Sequence, residues 1–434
     1  MSYVELHCHS NYSFHNGASF IHELLGKASS LGYSSLAITD NDNLCGAMEF
    51  SRTAISMGVR PIIGAEITLT DGYHVTVLAE NKYGYRNLCR LISMAKMSGE
   101  GQYSELDARL LSRYGQGLIL LTGCLNGKVP WLAQHGQMGE AEEIARWYVE
   151  LLGKENVYLE LQYNLVHGDI QRNRNLMEIS RKTGLDIVAT NNVHYHIRQR
   201  HQLDDCLVSI GHRKTLEESH RERRANSEFY LKSHSEMVYL FREIPKAISN
   251  TVLMAERCAE FDLARDLDYS FPEVLVPDGY TQQSYLRHIC EKAAVKIYGG
   301  LGDKVVRRLD EEFRLITRHN LAGFFLIYHD IIQVAREVMV DLGLTDREVP
   351  IEENPPGRGR GSSVSMLVGY LIGLSHIDPL EFNLSLERFL PDDEMVSVPD
   401  IDLDFPRNIR EELIKRIHKR YGWDHAVLTG MIVT

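Results

Sequence analysis

The chain has 434 residues, 44% hydrophobic and 24% charged, with a formal net charge of −12. That is room for two or three domains of ordinary globular composition, and it excludes a uniformly basic nucleic-acid coat while leaving a local basic channel open. The 7 cysteines form no C-x-x-C pair, which argues against a zinc ribbon or a disulfide framework and fits a reducing cytoplasm.

From the N-terminus, "MSYVELHCHSNYSFHNG" has no basic segment followed by an apolar run, so no signal peptide is expected. No stretch approaches the roughly 18 consecutive apolar residues of a membrane span, so no membrane partner is expected. Over the first 190 residues, short β-rich runs alternate with helical stretches. The strand candidates are Tyr3–His9, Ser35–Asp40, Arg60–Ile67, Tyr73–Ala79, Gly117–Thr122, Val157–Gln162 and Asp186–Thr190. Helical patterns cover 18–31, 44–57, 83–97, 137–152 and 169–183, several ending at a glycine suited to a helix C′ position. The third and fourth strands are joined by "TDG", a hairpin-type turn. Seven strands alternating with helices, with one tight hairpin, predict an α/β fold built as a distorted (β/α) barrel.

Residues 197 to 275 read as mainly helical, and "GHRKTLEESHRERRANSE" within them reads as a solvated surface. "YSFPEVLVPDGYT" reads as the linker, dividing the chain into 1–275 and 276–434. The second part holds helices, the loop "NPPGRGRGSS", an apolar helix to about 374, an acidic strand and a basic helix near 408–421. The chain stops in an apolar, strand-like run, "HAVLTGMIVT", so a longer parent protein is expected.

Two groups of residues carry chemistry. "HCH" puts His7 and His9 on one side of the first strand, at its C-terminal end, where barrels keep their active sites. Asp40, Glu66, His74, Cys124 and His194 lie at or just beyond other strand ends. Each alone reads most simply as structural; together they read as a pocket suited to zinc, manganese or iron. The other group is in the second part. In "PDIDLDF", Asp400, Asp402 and Asp404 share one strand face, while Ile401, Leu403 and Phe405 share the other. This is either a half-buried strand with a wet face or a cation site, because clustered carboxylates repel unless a cation offsets them. Upstream, "PPGRGRGSSVSMLVGYLIGL" supplies Arg358, Arg360, Gly361, Ser362 and Ser363 ahead of an apolar helix. It reads either as a flexible turn before a core helix or as a phosphate cradle aided by the helix's positive end. A cradle and a carboxylate strand in one domain are the parts of nucleotidyl transfer, with two Mg²⁺ ions held by carboxylates.

"ELHCHSNYSF", "AITDNDNLCG", "GAEI" and "NNVHYH" resemble the polymerase-and-histidinol-phosphatase (PHP) domain at the N-terminus of bacterial C-family DNA polymerases, the polymerase III alpha subunits. "GRGSS", "DPLEFNLSLERFL" and "PDIDLDF" resemble that family's palm motifs, so the resemblance covers essentially the whole chain, in either the replicative or the error-prone branch. It implies a PHP-type barrel followed by the first part of an α+β palm. It implies Asp402 and Asp404 as the magnesium-binding catalytic pair, and Arg360, Gly361, Ser362 and Ser363 at the triphosphate. It implies His7, His9, Asp40, Glu66, His74, Cys124 and His194 as a PHP site for Zn²⁺ or Mn²⁺. Primer–template DNA and dNTPs are the implied partners, with a sliding clamp and other replisome or repair subunits contacted through regions beyond these residues, in the cytoplasm. Three positions depart from the family's metal-binding form: Asn16, Asn41 and Asn192 stand where an aspartate, a histidine and an aspartate are common. Neutral swaps lower the expected metal affinity, so the alternatives are a phosphoesterase or 3′–5′ exonuclease site, or a non-catalytic scaffold. The palm's third aspartate is not among these residues, so the 434 residues alone are not expected to polymerise DNA.

Overall fold

The strand runs named above assemble into one curled sheet. In the computed structural model, which describes residues 2–98, 105–267, 274–351, 353–385, 401–422 and 425–426, the strands are β1 (Ser35–Ile38), β2 (Arg60–Thr68), β3 (His74–Ala79), β4 (Leu118–Leu121), β5 (Val157–Gln162) and β6 (Asp186–Thr190). They neighbour one another in sequence order. β1–β2, β4–β5 and β5–β6 are parallel, while β3 runs antiparallel to both β2 and β4. The reversal at β2–β3 is made by a turn in which Gly72 adopts φ 80°, a conformation glycine enters without a Cβ penalty.

Tyr3–His9 is a correction to the expected seven strands. It makes only isolated parallel bridges, Glu5 with Leu36 and Cys8 with Val193. Ala37 N–H donates to the Glu5 carbonyl at 2.9 Å, Val193 N–H to His7 at 2.8 Å and His9 N–H to Val193 at 2.8 Å. The segment changes partner within a few residues, so no ladder forms, yet it spans the gap between the two edges of the sheet.

Side-chain parity then divides the sheet's inner face into two zones. Ile62 shares its face with Glu66, Leu78 with Thr76, and Val188 with Thr190. Ile62, Leu78, Ile119, Leu121 and Val188 cluster with Met254 of the helix Pro245–Arg257 and with Cys258 at its C-cap, which closes the apolar zone. Glu66, Thr76, Glu160 and Thr190 are buried polar residues in the other zone. Helices Ile21–Ser30, Ala47–Ser56, Lys82–Ser98, Met138–Leu152 and Asp169–Thr183 follow the sequence pattern. The helix Lys128–Gln134 does not; Pro130 masks it in the sequence but sits in the first turn, where no amide is required.

By its contacts the chain falls into two units, Met1–Asp268 and Tyr269–Thr434. Of the expected linker, residues 269–273 lie outside the described residues. In the second unit, helices Gln282–Tyr298, Asp303–Arg318 and Ala322–Asp341 pack Leu286, Phe313 and Phe325 against Leu367 and Leu371. A two-stranded antiparallel sheet joins β7 (Arg358–Arg360) to β8 (Asp402–Asp404), and helix Arg410–Tyr421 follows. No helix among the described residues is long and apolar enough to cross a membrane.

Candidate metal centre and candidate nucleotide site

His7 and His9 reach the polar zone from the bridging segment, and both are fully buried. His7 Nδ1 lies 2.7 Å from Glu160 Oε1, so it carries the proton it shares with that carboxylate and leaves Nε2 facing Glu66 Oε1 at 3.4 Å. His9 Nδ1 bonds the Ser13 hydroxyl at 3.1 Å, and its Nε2 faces Glu66 Oε2 at 3.9 Å. The two Nε2 atoms are buried without a hydrogen-bond partner, an arrangement that costs stability unless something else binds there. Donor atoms of His7, His9 and Glu66 all lie within 4.8 Å of one another. Those of Glu66, His74 and Cys124 do the same. Cys124 Sγ is 3.4 Å from Glu66 Oε1, and His74 Nδ1 is 3.4 Å from Glu66 Oε2.

These donor sets fit a transition metal. Imidazole and thiolate suit zinc-like ions, and the His7–Glu160 bond is the carboxylate–histidine support that fixes a ligand's tautomer. The charges are consistent with a site designed around a cation. Burial opposes charge on His7, but Glu160 and Glu66 outweigh it and push the ring up to about 10. Burial raises Glu66, yet His74 and His7 outweigh that and hold it well below the usual carboxylate range. Burial pushes the Cys124 thiol up, as do Glu66 and Glu160. Burial drives His9 down to about 3, keeping it neutral and available as a ligand.

Asp40 and His194 enter neither donor group among the described residues. Asp40 instead accepts from Ser10 N–H at 2.7 Å, Ser10 Oγ at 2.7 Å and Ser13 Oγ at 2.6 Å. It pins the loop that supports His9. His194 stacks on His9, ring centroids 4.4 Å apart. Its Nδ1 faces the Asn16 carbonyl at 2.5 Å and Arg224 Nη2 at 2.6 Å. Burial and the Arg224 charge hold that ring well below the usual histidine range. Asn192 takes φ 50°, and its Oδ1 is buried without a partner.

Sequence reasoning missed Glu160 and Arg224. The first left a signal, an acid inside the apolar run "VYLELQ". Arg224 left none, since it lies in the stretch read as solvated. The pocket opens into a cleft of about 660 Å³ whose lining includes Phe14, Glu66, His74, Cys124, Arg224 and Phe229.

In the second unit, β7 and β8 pair Arg358 with Asp404 and Arg360 with Asp402. Asp402 and Asp404 therefore share a face with the two arginines, while Leu403 and Phe405 pack into the core beside buried Ile401. Arg360 Nε lies 2.9 Å from Asp404 Oδ2, and Arg358 Nε lies 3.8 Å from it. A Cβ on Gly357 would meet Phe405 Cδ1 at 2.6 Å and the Asp404 carbonyl at 2.7 Å, so only glycine lets the loop lie against β8. Gly361 takes φ 79°. Asp400 lies outside the described residues, as do the side chains of Ser362 and Ser363.

The helix beyond the loop corrects an expectation. It is short, Leu367–Leu371, and its positive end is already taken. Glu312 Oε1 accepts from Leu367 N–H at 2.7 Å, and Glu312 Oε2 from Val368 N–H at 2.8 Å. Arg308 Nε bonds the same carboxylate at 2.8 Å. A buried acid from 55 residues upstream caps this helix, so its first two amides are turned to Glu312 rather than to a phosphate.

Comparison with known proteins follows this division. Residues 5–164 match the PHP domain family, and residues 284–434 match the bacterial DNA polymerase III alpha NTPase domain. The DNA polymerase III subunit alpha of Treponema pallidum is 35% identical over 454 residues, which is 100% of this chain and 37% of that protein. The error-prone DNA polymerase of Symbiobacterium thermophilum is 35% identical over 443 residues, 98% of this chain and 39% of that protein. The chain thus spans less than two-fifths of the length of these curated relatives. A solved structure described as a putative metal-dependent phosphoesterase from Bifidobacterium adolescentis is 14% identical, covering 44% of this chain and 88% of that one at a TM-score of 0.33.

Proposed function

We propose that this chain, which joins a PHP domain to part of a bacterial DNA polymerase III alpha NTPase domain, serves template-directed addition of deoxynucleotides to a primer 3′ end. The observation that carries this reading is the β7–β8 pair, which sets Asp402 and Asp404 on one face with Arg358 and Arg360. A bound pair of Mg²⁺ ions would activate the 3′-hydroxyl and steady the leaving pyrophosphate. Asp402 and Asp404 would hold those ions. Arg360, now on Asp404, has the geometry to turn to a triphosphate oxygen, because a guanidinium matches phosphate as well as carboxylate. Leu403 and Phe405 anchor the strand in the core, so the carboxylates are held on a fixed element.

The test is binding of a fluorescent dNTP with and without Mg²⁺. Binding that requires Mg²⁺ and weakens at least tenfold in both Asp404→Asn and Arg360→Ala supports the reading. Binding indifferent to Mg²⁺ and to both substitutions rejects it.

A second reading concerns the first unit, and the two donor sets around Glu66 favour it. His7, His9 and Glu66, with His74 and Cys124 beside them, would hold Zn²⁺ or Mn²⁺, which when bound supplies a Lewis acid and a hydroxide for phosphoester hydrolysis. Glu160 holds the His7 tautomer, and the cleft lined by Glu66, His74 and Cys124 would receive the ester. Primer–template DNA is the partner of the first reading, and a phosphoester is the substrate class of the second.

A further inference from the structure

Arg224 belongs to a stretch of mixed charge, yet its side chain is only 14% exposed and its guanidinium is turned into the metal pocket. Nη1 donates to Asp204 Oδ2 at 2.6 Å. Nη2 donates to Asn16 Oδ1 at 2.5 Å. From there the polarity continues in one sense. Asn16 Nδ2 donates to Asn41 Oδ1 at 2.7 Å, and Asn41 Nδ2 donates to Glu66 Oε2 at 2.5 Å. Three bonds run head to tail from a fixed cation to the carboxylate that both donor groups share. Bonds aligned this way polarise one another in a low-dielectric interior. An amide both accepts and donates; an ionised carboxylate at either middle position accepts only and would break the chain.

The same guanidinium lies 2.6 Å from His194 Nδ1, beside the ring stacked on His9. Its charge is matched by Asp204, which is buried. A second cation placed against His194 would meet this one at short range in a poorly screened site. Asn16 and Asn41, which look in the sequence like weakened metal ligands, are here the two links of the chain.

We infer that Arg224, Asn16 and Asn41 form a positioning device, in which the guanidinium occupies the His194 lobe in place of a metal ion and, through the two amides, orients Glu66 toward an ion on the His7–His9 side. The inference rests on the reading of His7, His9 and Glu66 as metal donors. It accounts for a histidine that lines the pocket without joining either donor group.

The experiment counts Zn²⁺ or Mn²⁺ ions per chain by mass spectrometry on the 434-residue protein and its variants. His194→Ala is expected to hold as much metal as the wild type. Asn16→Asp with Asn41→His is expected to gain nothing while Arg224 remains. Adding Arg224→Met to that pair is expected to gain one further ion per chain. An ion lost in His194→Ala, or gained in the pair with Arg224 kept, overturns the inference, as does a folded triple variant that gains none. His7→Ala reads the donor set separately: a wild type without metal retires that set, while the step from double to triple variant still decides the role of Arg224. If circular dichroism shows the triple variant unfolded, the His194→Ala and double-variant counts decide.

Discussion

Glu160→Gln tests the candidate metal centre with almost no change of shape. Glu160 Oε1 receives His7 Nδ1 at 2.7 Å, Gln162 Nε2 at 2.8 Å and Thr190 Oγ1 at 2.5 Å. An amide oxygen turned to the same point accepts all three, so the substitution removes the charge and keeps the contacts. What is lost is the anion that makes His7 a stronger donor and neutralises part of an ion's charge. Such supporting carboxylates are worth about 10–100-fold in metal affinity, or roughly 1.4–2.7 kcal/mol. Competition between the protein and a chromophoric chelator for Zn²⁺ gives the dissociation constant directly. A weakening of that size, with far-ultraviolet circular dichroism unchanged, is the expected result. An affinity within about a factor of two of the wild type would refute the argument that His7 binds metal with Glu160 behind it.

Two further predictions concern stability. Glu312→Ala strands the Leu367 and Val368 amides and leaves Arg308 without its carboxylate; losing one partner of a buried charge pair costs about 3–5 kcal/mol, so amide exchange across Leu367–Leu371 should accelerate sharply, and unchanged exchange would contradict the capping role. The second is a pH profile of the metal-free protein. The folded His7 sits near 10, above its ordinary value of about 6.5, so its contribution is complete below that value and is lost as the pH rises through about 10. His9 is held near 3, so its contribution is lost in the other direction, as the pH falls from about 6.5 toward 3. The melting temperature should fall on both sides, with the alkaline limb absent in His7→Gln and the acid limb absent in His9→Gln; limbs unmoved by these substitutions would remove both assignments.

Much of this was legible in the sequence because it rests on local periodicity. Val157–Gln162 and Asp186–Thr190 appear as read, and β8 shows the two faces that alternating Asp and apolar residues require. The cluster of His7, His9, Glu66, His74 and Cys124 was visible because these residues lie at or just beyond strand ends, where topology gathers them. What stayed hidden depends on contacts between distant residues. Arg224 looks like a surface residue until Asp204 and Asn16 are beside it. Asp40 reads in the sequence as one more acid at a strand end, and only the fold brings Ser10 and Ser13 onto its oxygens. The glycine-rich loop reads as aiming a helix end at phosphate until Glu312 arrives from another helix. Tyr3–His9 has strand composition, but it divides its hydrogen bonds between two neighbours.

The reversed direction of β3 has a consequence for how the site is gathered. Because that strand enters at the rim where β2 leaves, Glu66 and His74 are joined by a single hairpin only 8 positions long. His7 and His9 are placed instead by a segment whose Glu5 side chain is bonded to Asn191 across 186 positions. Loop closure scales with the logarithm of length, so setting the second pair costs about 3 kcal/mol more chain entropy than setting the first. One side of the centre is therefore prepared locally, and the other exists only once the whole domain has closed around it. Whatever loosens that closure, even far from the cleft, reaches the two histidines first and leaves the hairpin pair in place.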